Sequence, residues 1–270
     1  MSAVPAIGED ADLERRFGGL RRLYGEADYR RLRAARFAVV GLGGVGSWVV
    51  EALARSGVAG LTLIDFDQVA ESNINRQIQA LGSTVGMAKG EALRRRIADI
   101  HPGCEVRFVE DFVDEQNWPG LLPADAAIDG LVDACDQVRA KAALAAWARA
   151  GRLPFVTVGA AGGKREPHRM AVEDLADTTH DPLLASLRQR LRKQYAAPRS
   201  GKLGVACVFS REPVYRPAAD GASCELGEGA AAIDGSLNCA GYGSSVAVTA
   251  GFGMAAAAQL IKDFLQNPCV

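Results

Sequence analysis

A glycine-rich hexad, Gly41-Leu42-Gly43-Gly44-Val45-Gly46, follows the apolar run at 36–41 and leads into residues with helical spacing. The run is short, apolar and ends in glycine, the pattern of a parallel strand buried on both faces. From Gly44 to Gly57, Val45, Val49, Leu53 and Ala54 share one face of a helix. Strand, glycine turn and helix in this order place backbone N–H groups at a helix N-terminus, where phosphate is held. Few folds accept that arrangement outside an open α/β sheet.

The rest of the first half repeats the alternation. Strands are expected at 61–66, 104–109, 131–135 and 155–159, with helices at 85–100 and 139–150. Such βαβ units imply a Rossmann-like, mostly parallel sheet flanked by helices. After Gly159 the pattern weakens. A polar insertion, about 160–204, contains one helix at 182–195, and a strand is expected over 205–215. Residues 217–240 are rich in Gly, Ala, Asp and Ser and read as a mobile loop. The chain reads as a single domain over 1–270, with a core at about 30–160 and a C-terminal strand, loop and helix at about 205–270.

Gly241 to Ile261 carries no charge and approaches the length of a membrane span. Its Gly, Ala, Ser and Thr insert weakly, and a small-residue helix packed inside the protein or a dimer is the better reading. The N-terminus lacks a secretory pattern, and the six cysteines form no CxxC pair. Both favour a reduced, cytoplasmic protein without a zinc cage. The formal net charge of −1 gives no global attraction to nucleic acid.

Taken alone, the glycine loop would suit NAD or FAD. Asp65, about 20 residues beyond it, is placed to hold ribose hydroxyls. The chain then adds Asp67, the run Asn73-Ile74-Asn75-Arg76-Gln77, and Lys89. Arg76 and Lys89 bring two cations to the cradle, which suits a triphosphate. Asp133 and Asp136 close the strand at 131–135, where a carboxylate can hold Mg²⁺ against phosphates. Asp136 could equally cap the next helix.

The set GLGGVGSW, LIDFD, NINRQ, VGMAK and VDACD resembles the ubiquitin-activating-enzyme-like superfamily of ATP-dependent adenylyltransferases. That resemblance implies ATP and Mg²⁺ as cofactors. It implies glycines 41, 43, 44 and 46 at the phosphates, Asp65 and Asp67 near the ribose, and Asn73 and Gln77 in the binding site. Arg76, Lys89 and Asp136 would be catalytic, with Asp136 the metal ligand. The sulfur-carrier-activating branch normally has two zinc-binding CxxC pairs, and this chain has none. RRFGGLRRLYG, PLLASLRQRLRKQY and SGKLGVACVFS resemble instead the tRNA threonylcarbamoyladenosine dehydratases.

The expected reaction is ligase-type cyclisation of threonylcarbamoyladenosine in tRNA through an acyl-adenylate. The alternatives are activation of a ubiquitin-like sulfur carrier's C-terminus, or an NAD-dependent oxidoreductase. The resemblance also implies a homodimer and, as partners, a cysteine desulfurase and its sulfur-acceptor protein. An arginine near the N-terminus would cross the dimer to ATP, with Arg16, Arg21 and Arg22 all candidates. Lys164, Arg165, Arg169, Arg188, Arg190, Arg192, Lys193, Arg199 and Lys202 would form an RNA-facing segment. Arg188 and Arg192 share a helix face. Cys239 could form a thioester, though an incidental cysteine is the better reading. His101, His168 and His180 belong to no motif.

Overall fold

The computed structural model describes residues 11–123, 127–217, 223–225 and 242–267. Three short helices, α1 (Leu13–Phe17), α2 (Gly19–Tyr24) and α3 (Glu26–Ala34), precede strand β1 (Arg36–Val40). Then come α4 (Gly46–Arg55), β2 (Gly60–Ile64), α5 (Lys89–Ile100), β3 (Glu105–Val109), β4 (Gly130–Asp133), α6 (Val138–Ala150) and β5 (Phe155–Val158). The second half holds β6 (Met170–Asp174), α7 (Pro182–Gln194), β7 (Ala206–Ser210), β8 (Tyr215–Pro217), β9 (Ser223–Glu225) and α8 (Val246–Gln266).

Among the described residues, seven strands form one sheet in the order β3-β2-β1-β4-β5-β7-β6. All neighbours pair in parallel except β6, which runs antiparallel to β7. The central strands are buried along nearly their whole length, whereas the edge strands β3 and β6 are half-exposed. Covering both faces explains the continuous apolar runs of the inner strands. Phe37 and Val39 pack with α3, α4, α5 and α8 on one face; Ala38 and Val40 pack with α6 and α7 on the other.

The N-terminal helices are fastened by arginines to the C-terminal ends of two longer helices. Arg16 donates to the carbonyls of Asp99 (2.9 Å) and Ile100 (2.7 Å) at the end of α5. Arg31 donates to Phe264 (3.0 Å), Leu265 (2.8 Å) and Asn267 (2.6 Å) at the end of α8. Cations there meet the negative end of the helix dipole. His101, 2% exposed, packs its ring against Phe17 at a tilt of 56° and lies 3.1 Å from Arg33.

Several expectations need correction. Helix α5 begins at Lys89, because residues 85–88 form a turn in which Ala88 bridges to Gln68. The polar insertion contains a strand, β6, which was expected to be loop; its half-exposed residues give no apolar run. The strand expected over 205–215 divides, since β7 ends at Ser210 and Tyr215 joins β9 in a separate pair. Much of the expected mobile loop, including Cys239, lies outside the described residues. The small-residue helix forms as α8 and packs on α4 and the central strands; no described helix is long and apolar enough to cross a membrane.

Candidate functional site

Strand order reverses between β1 and β4, and above their C-terminal ends lies a crevice of about 300 Å³. Open parallel sheets bind ligands at such a switch point. Gly41, Gly43 and Gly44 line it from the loop after β1, and Asp136 lines it from the turn after β4. Asp65 and Asp67 reach it from beyond β2, Asn73, Arg76 and Gln77 from the following turns, and Lys89 from the start of α5. The structure therefore gathers ten of the residues singled out in the sequence.

Gly46 is the exception. A Cβ there would stand 1.7 Å from the Gly41 carbonyl oxygen, so this glycine lets the loop close on the helix and lies outside the crevice lining. Gly43 is the reverse case. An added Cβ would meet nothing within 4 Å, yet the residue faces the crevice. The fold does not require glycine there, but a close-lying phosphate would.

The Leu42 backbone is held on both sides of its Cα. Its N–H donates to Asp65 Oδ2 (2.6 Å), and its carbonyl accepts from Gln79 Nε2 (3.0 Å). Asp67 N–H donates to the other Asp65 oxygen at 2.8 Å. Burial pushes the Asp65 carboxyl above its ordinary value, and the Lys89 ammonium at 3.9 Å works against that rise. Lys89 Nζ donates to Asp67 Oδ2 at 2.6 Å. Burial likewise pushes the Asp136 carboxyl upward. Two carboxyls that resist ionising beside a cleft form an environment that a cation relieves.

Other predicted residues are partly engaged. Arg76 Nη1 donates to the Ser72 carbonyl (2.7 Å) and Asn75 Oδ1 (2.8 Å), while its own carbonyl accepts from Trp48 Nε1 (3.0 Å). Asn73 Oδ1 accepts from Ala70 N–H at 3.1 Å and closes the short turn. Gln77 Oε1 accepts from Gln79 Nε2 at 3.1 Å. Beneath the crevice, Lys141 Nζ lies 3.0 Å from Asp133 Oδ2, and Thr157 Oγ1 donates to the same oxygen at 2.6 Å. Asp133, Lys141 and Thr157 are fully buried. Burial would pull Lys141 down, but the Asp133 carboxylate leads the opposing influences and the ammonium sits above its ordinary value.

Sequence reasoning missed Gln79, and also Asp111 and Phe112 after β3, Gly162 after β5, and Thr249 on α8, all four of which line the crevice. The position after a strand's C-terminal end was an available signal for Asp111; Thr249 gave none.

The basic segment is not one surface. Lys164 is 3% exposed and donates to the carbonyls of His180 and Glu212, with burial lowering its pKa. Arg188 Nη1 is tied to the Leu175 carbonyl (2.9 Å) and to Thr178 O and Oγ1 (both 3.0 Å). Arg190 pairs with Glu115 at 2.7 Å. Arg165 and Arg169 are exposed beside the start of β6, at the crevice edge of the sheet. Lys193, Arg199 and Lys202 are exposed near the N-terminal end of β7, at the opposite edge. The reversal of β6 produces this division.

Of the N-terminal arginines, Arg16 is tied to α5, and Arg21 to Glu14 (2.9 Å) and Glu26 (2.8 Å). Cys135 lines the crevice, but its thiol donates to Asp133 Oδ1 at 2.9 Å, and burial pushes it well above its ordinary value. None of the three histidines lines the crevice. No group of three or more His, Cys, Asp or Glu is placed to hold a metal among the described residues.

Fold and crevice together define a class: an α/β protein that presents a phosphate-binding glycine loop at the switch point of a parallel sheet. The profile of the ThiF family matches residues 16–268. A tRNA threonylcarbamoyladenosine dehydratase of Escherichia coli K12 is 44% identical over 93% of each chain. Its counterpart in Haemophilus influenzae is 40% identical over 94% of this chain and 95% of that protein. The solved structure of E. coli tRNA N6-threonylcarbamoyladenosine dehydratase in complex with ATP superimposes with a TM-score of 0.81 at 42% identity, covering 94% of this chain and 96% of that one. The chain belongs to the ThiF family, in its tRNA threonylcarbamoyladenosine dehydratase group.

Proposed function

We propose that this protein uses ATP to cyclise threonylcarbamoyladenosine in tRNA. The observation that carries this reading is the convergence of Asp65, Arg76, Lys89 and Asp136 with the glycine loop in one crevice, in a chain so similar to dehydratases of that name. The threonine carboxylate of the substrate attacks the α-phosphate, forming an acyl-adenylate as pyrophosphate departs. A nitrogen of the same side chain then attacks the activated carbonyl, loses its proton and expels AMP. The nucleoside loses the elements of water, and cleavage of ATP to AMP gives the reaction a ligase's stoichiometry.

The protein supplies position and charge. Loop N–H groups, Arg76 and Lys89 hold the phosphates, and Asp65 holds the ribose. Lys89 is buried but its partner Asp67 is largely exposed, so a phosphate can take the ammonium at little cost. Asp136 would hold Mg²⁺ together with phosphate oxygens and water, the small donor set that this ion accepts, and the ion would neutralise charge on the departing pyrophosphate. Ring closure is intramolecular and needs mainly alignment.

Arg165 and Arg169 lie on the crevice side to meet the tRNA backbone. Arg22, exposed and with a side chain that makes no hydrogen bond or ion pair among the described residues, is the N-terminal arginine left to serve a neighbouring subunit in a homodimer. A cytoplasmic location and a sulfur-transfer pair as partners complete the reading.

The test is mass spectrometry of nucleosides from modified tRNA incubated with protein, ATP and Mg²⁺. Loss of water from the modified adenosine, with AMP formed in step, is expected. Unchanged nucleoside from active, ATP-binding protein would reject the reading.

A further inference from the structure

Residues 159–166 lead from the end of β5 towards β6, and Ala161 and Gly162 line the crevice on the way. The backbone is pinned on either side of these two residues. Asp181 Oδ2 accepts the Ala160 N–H at 2.8 Å. The Gly243 carbonyl accepts the Gly163 N–H at 2.8 Å, and the Gly163 carbonyl accepts from the Tyr215 N–H at 2.9 Å. Further on, the Glu212 carboxylate accepts from the N–H groups of Arg165 and Glu166, each at 2.9 Å. Asp181 and Glu212 are both buried, so their desolvation is offset by these charge-assisted bonds to backbone. Between the pins, the N–H groups of Ala161 and Gly162 make no hydrogen bond among the described residues. Two successive backbone donors in a fixed turn, both unused, make a seat for an anionic oxygen.

Which oxygen it takes follows from sheet order. The glycine loop follows β1, Asp136 follows β4, and this turn follows β5, the next strand outward. With phosphates on the glycine loop and the ribose towards β2, the reacting carboxylate meets phosphorus from the β5 side. Arg165 and Arg169, exposed shortly after the turn, bring the tRNA to that side as well. We propose, building on the reaction above, that the Ala161 and Gly162 N–H groups bind the carboxylate oxygen that does not attack phosphorus, and that Asp181 and Glu212 position them. The same oxygen becomes the carbonyl oxygen of the acyl-adenylate. In ring closure the side-chain nitrogen bonds to the carbonyl carbon, and an electron pair moves onto this oxygen. The pair then returns, the bond from carbon to the AMP oxygen breaks, and the nitrogen's proton passes to water. Negative charge on the oxygen is greatest in that step, so the two donors favour ring closure over adenylation.

The test is single turnover of modified tRNA by the full chain in rapid quench, with pyrophosphate and cyclic nucleoside followed separately. In two proteins an α-hydroxy acid replaces Ala161 (lactic acid) or Gly162 (glycolic acid), which turns one N–H into an ester oxygen. A third carries Glu212→Gln. Each ester should slow ring closure on the order of 10²-fold, the scale of one lost oxyanion donor. Pyrophosphate should then appear well ahead of cyclic nucleoside, while ATP affinity and melting temperature stay near those of wild type. Glu212→Gln sets an amide donor against the Arg165 and Glu166 N–H groups and should show the same split in smaller measure. If neither ester protein folds, Glu212→Gln decides in the same way. Ring closure at the wild-type rate, or adenylation slowed as much as ring closure, overturns the inference. Wild type that binds ATP but forms no cyclic nucleoside would instead remove the reaction itself, and this inference with it.

Discussion

Replacing Lys141 with methionine should destabilise the protein while leaving the shape of its site nearly intact. Lys141 and Asp133 are both fully buried and 3.0 Å apart. Methionine keeps most of the volume but leaves the Asp133 carboxylate uncompensated in the sheet interior. Breaking a buried pair from one side costs about 3–5 kcal/mol. Asp133 would keep Thr157 O–H (2.6 Å) and Cys135 N–H (3.2 Å) as donors, which places the loss near the lower figure, about 3 kcal/mol. That is a large share of the roughly 5–15 kcal/mol that holds a typical domain folded. The double variant Asp133→Asn/Lys141→Met removes both charges and should recover more than half of the loss. Urea unfolding followed by two optical probes measures each value. A single-variant loss below about 1 kcal/mol, or a double variant no better than the single, would refute the claim that the pair's charges are interdependent.

Lys89→Ala and Asp136→Ala should each lower turnover by on the order of 10²- to 10³-fold with folding preserved, as measured by AMP release and melting. Gly43→Ala should fold and bind ATP more weakly, whereas Gly46→Ala should yield little soluble protein, because its Cβ would strike the Gly41 carbonyl; calorimetry and expression yield separate the two. His101 is pulled down to about 4 by burial, with Arg33 and Arg16 nearby, from an ordinary 6.5. The unfolded chain therefore binds the extra proton first as pH falls. Stability should drop by about 3 kcal/mol between pH 7 and 4 on this group's account, and His101→Phe should flatten that part of the profile; identical profiles would reject the assignment. Arg188→Ala should cost about 1–3 kcal/mol of stability by freeing two buried carbonyls, while Arg165→Glu/Arg169→Glu should weaken tRNA binding and make its salt dependence shallower.

The inner strands β1, β2, β4 and β5 were legible because each carries its own signal: an apolar run buried on both faces, closed by glycine or aspartate. The crevice was legible where its parts lie next to such strands, as with Gly41, Asp65 and Asp136. Residues brought in by tertiary packing were not. Thr249 reaches the crevice only because α8 crosses the sheet, and Gln79 acts through a carbonyl distant in sequence. Strand β6 was hidden because an edge strand needs no apolar run. Charge was the least reliable guide. Lys164 and Arg188 look like solvated cations in the sequence, but each serves as a donor that holds backbone carbonyls together.

The double hold on the Leu42 backbone has a consequence for how fast and how tightly a nucleotide can be captured. Fixing a residue's backbone costs about 1–2 kcal/mol of entropy. Asp65 and Gln79 impose that order during folding, so it need not be lost again when phosphate arrives. The loop can then accept its ligand without first rearranging, and neither hydrogen bond depends on which side chain residue 42 carries.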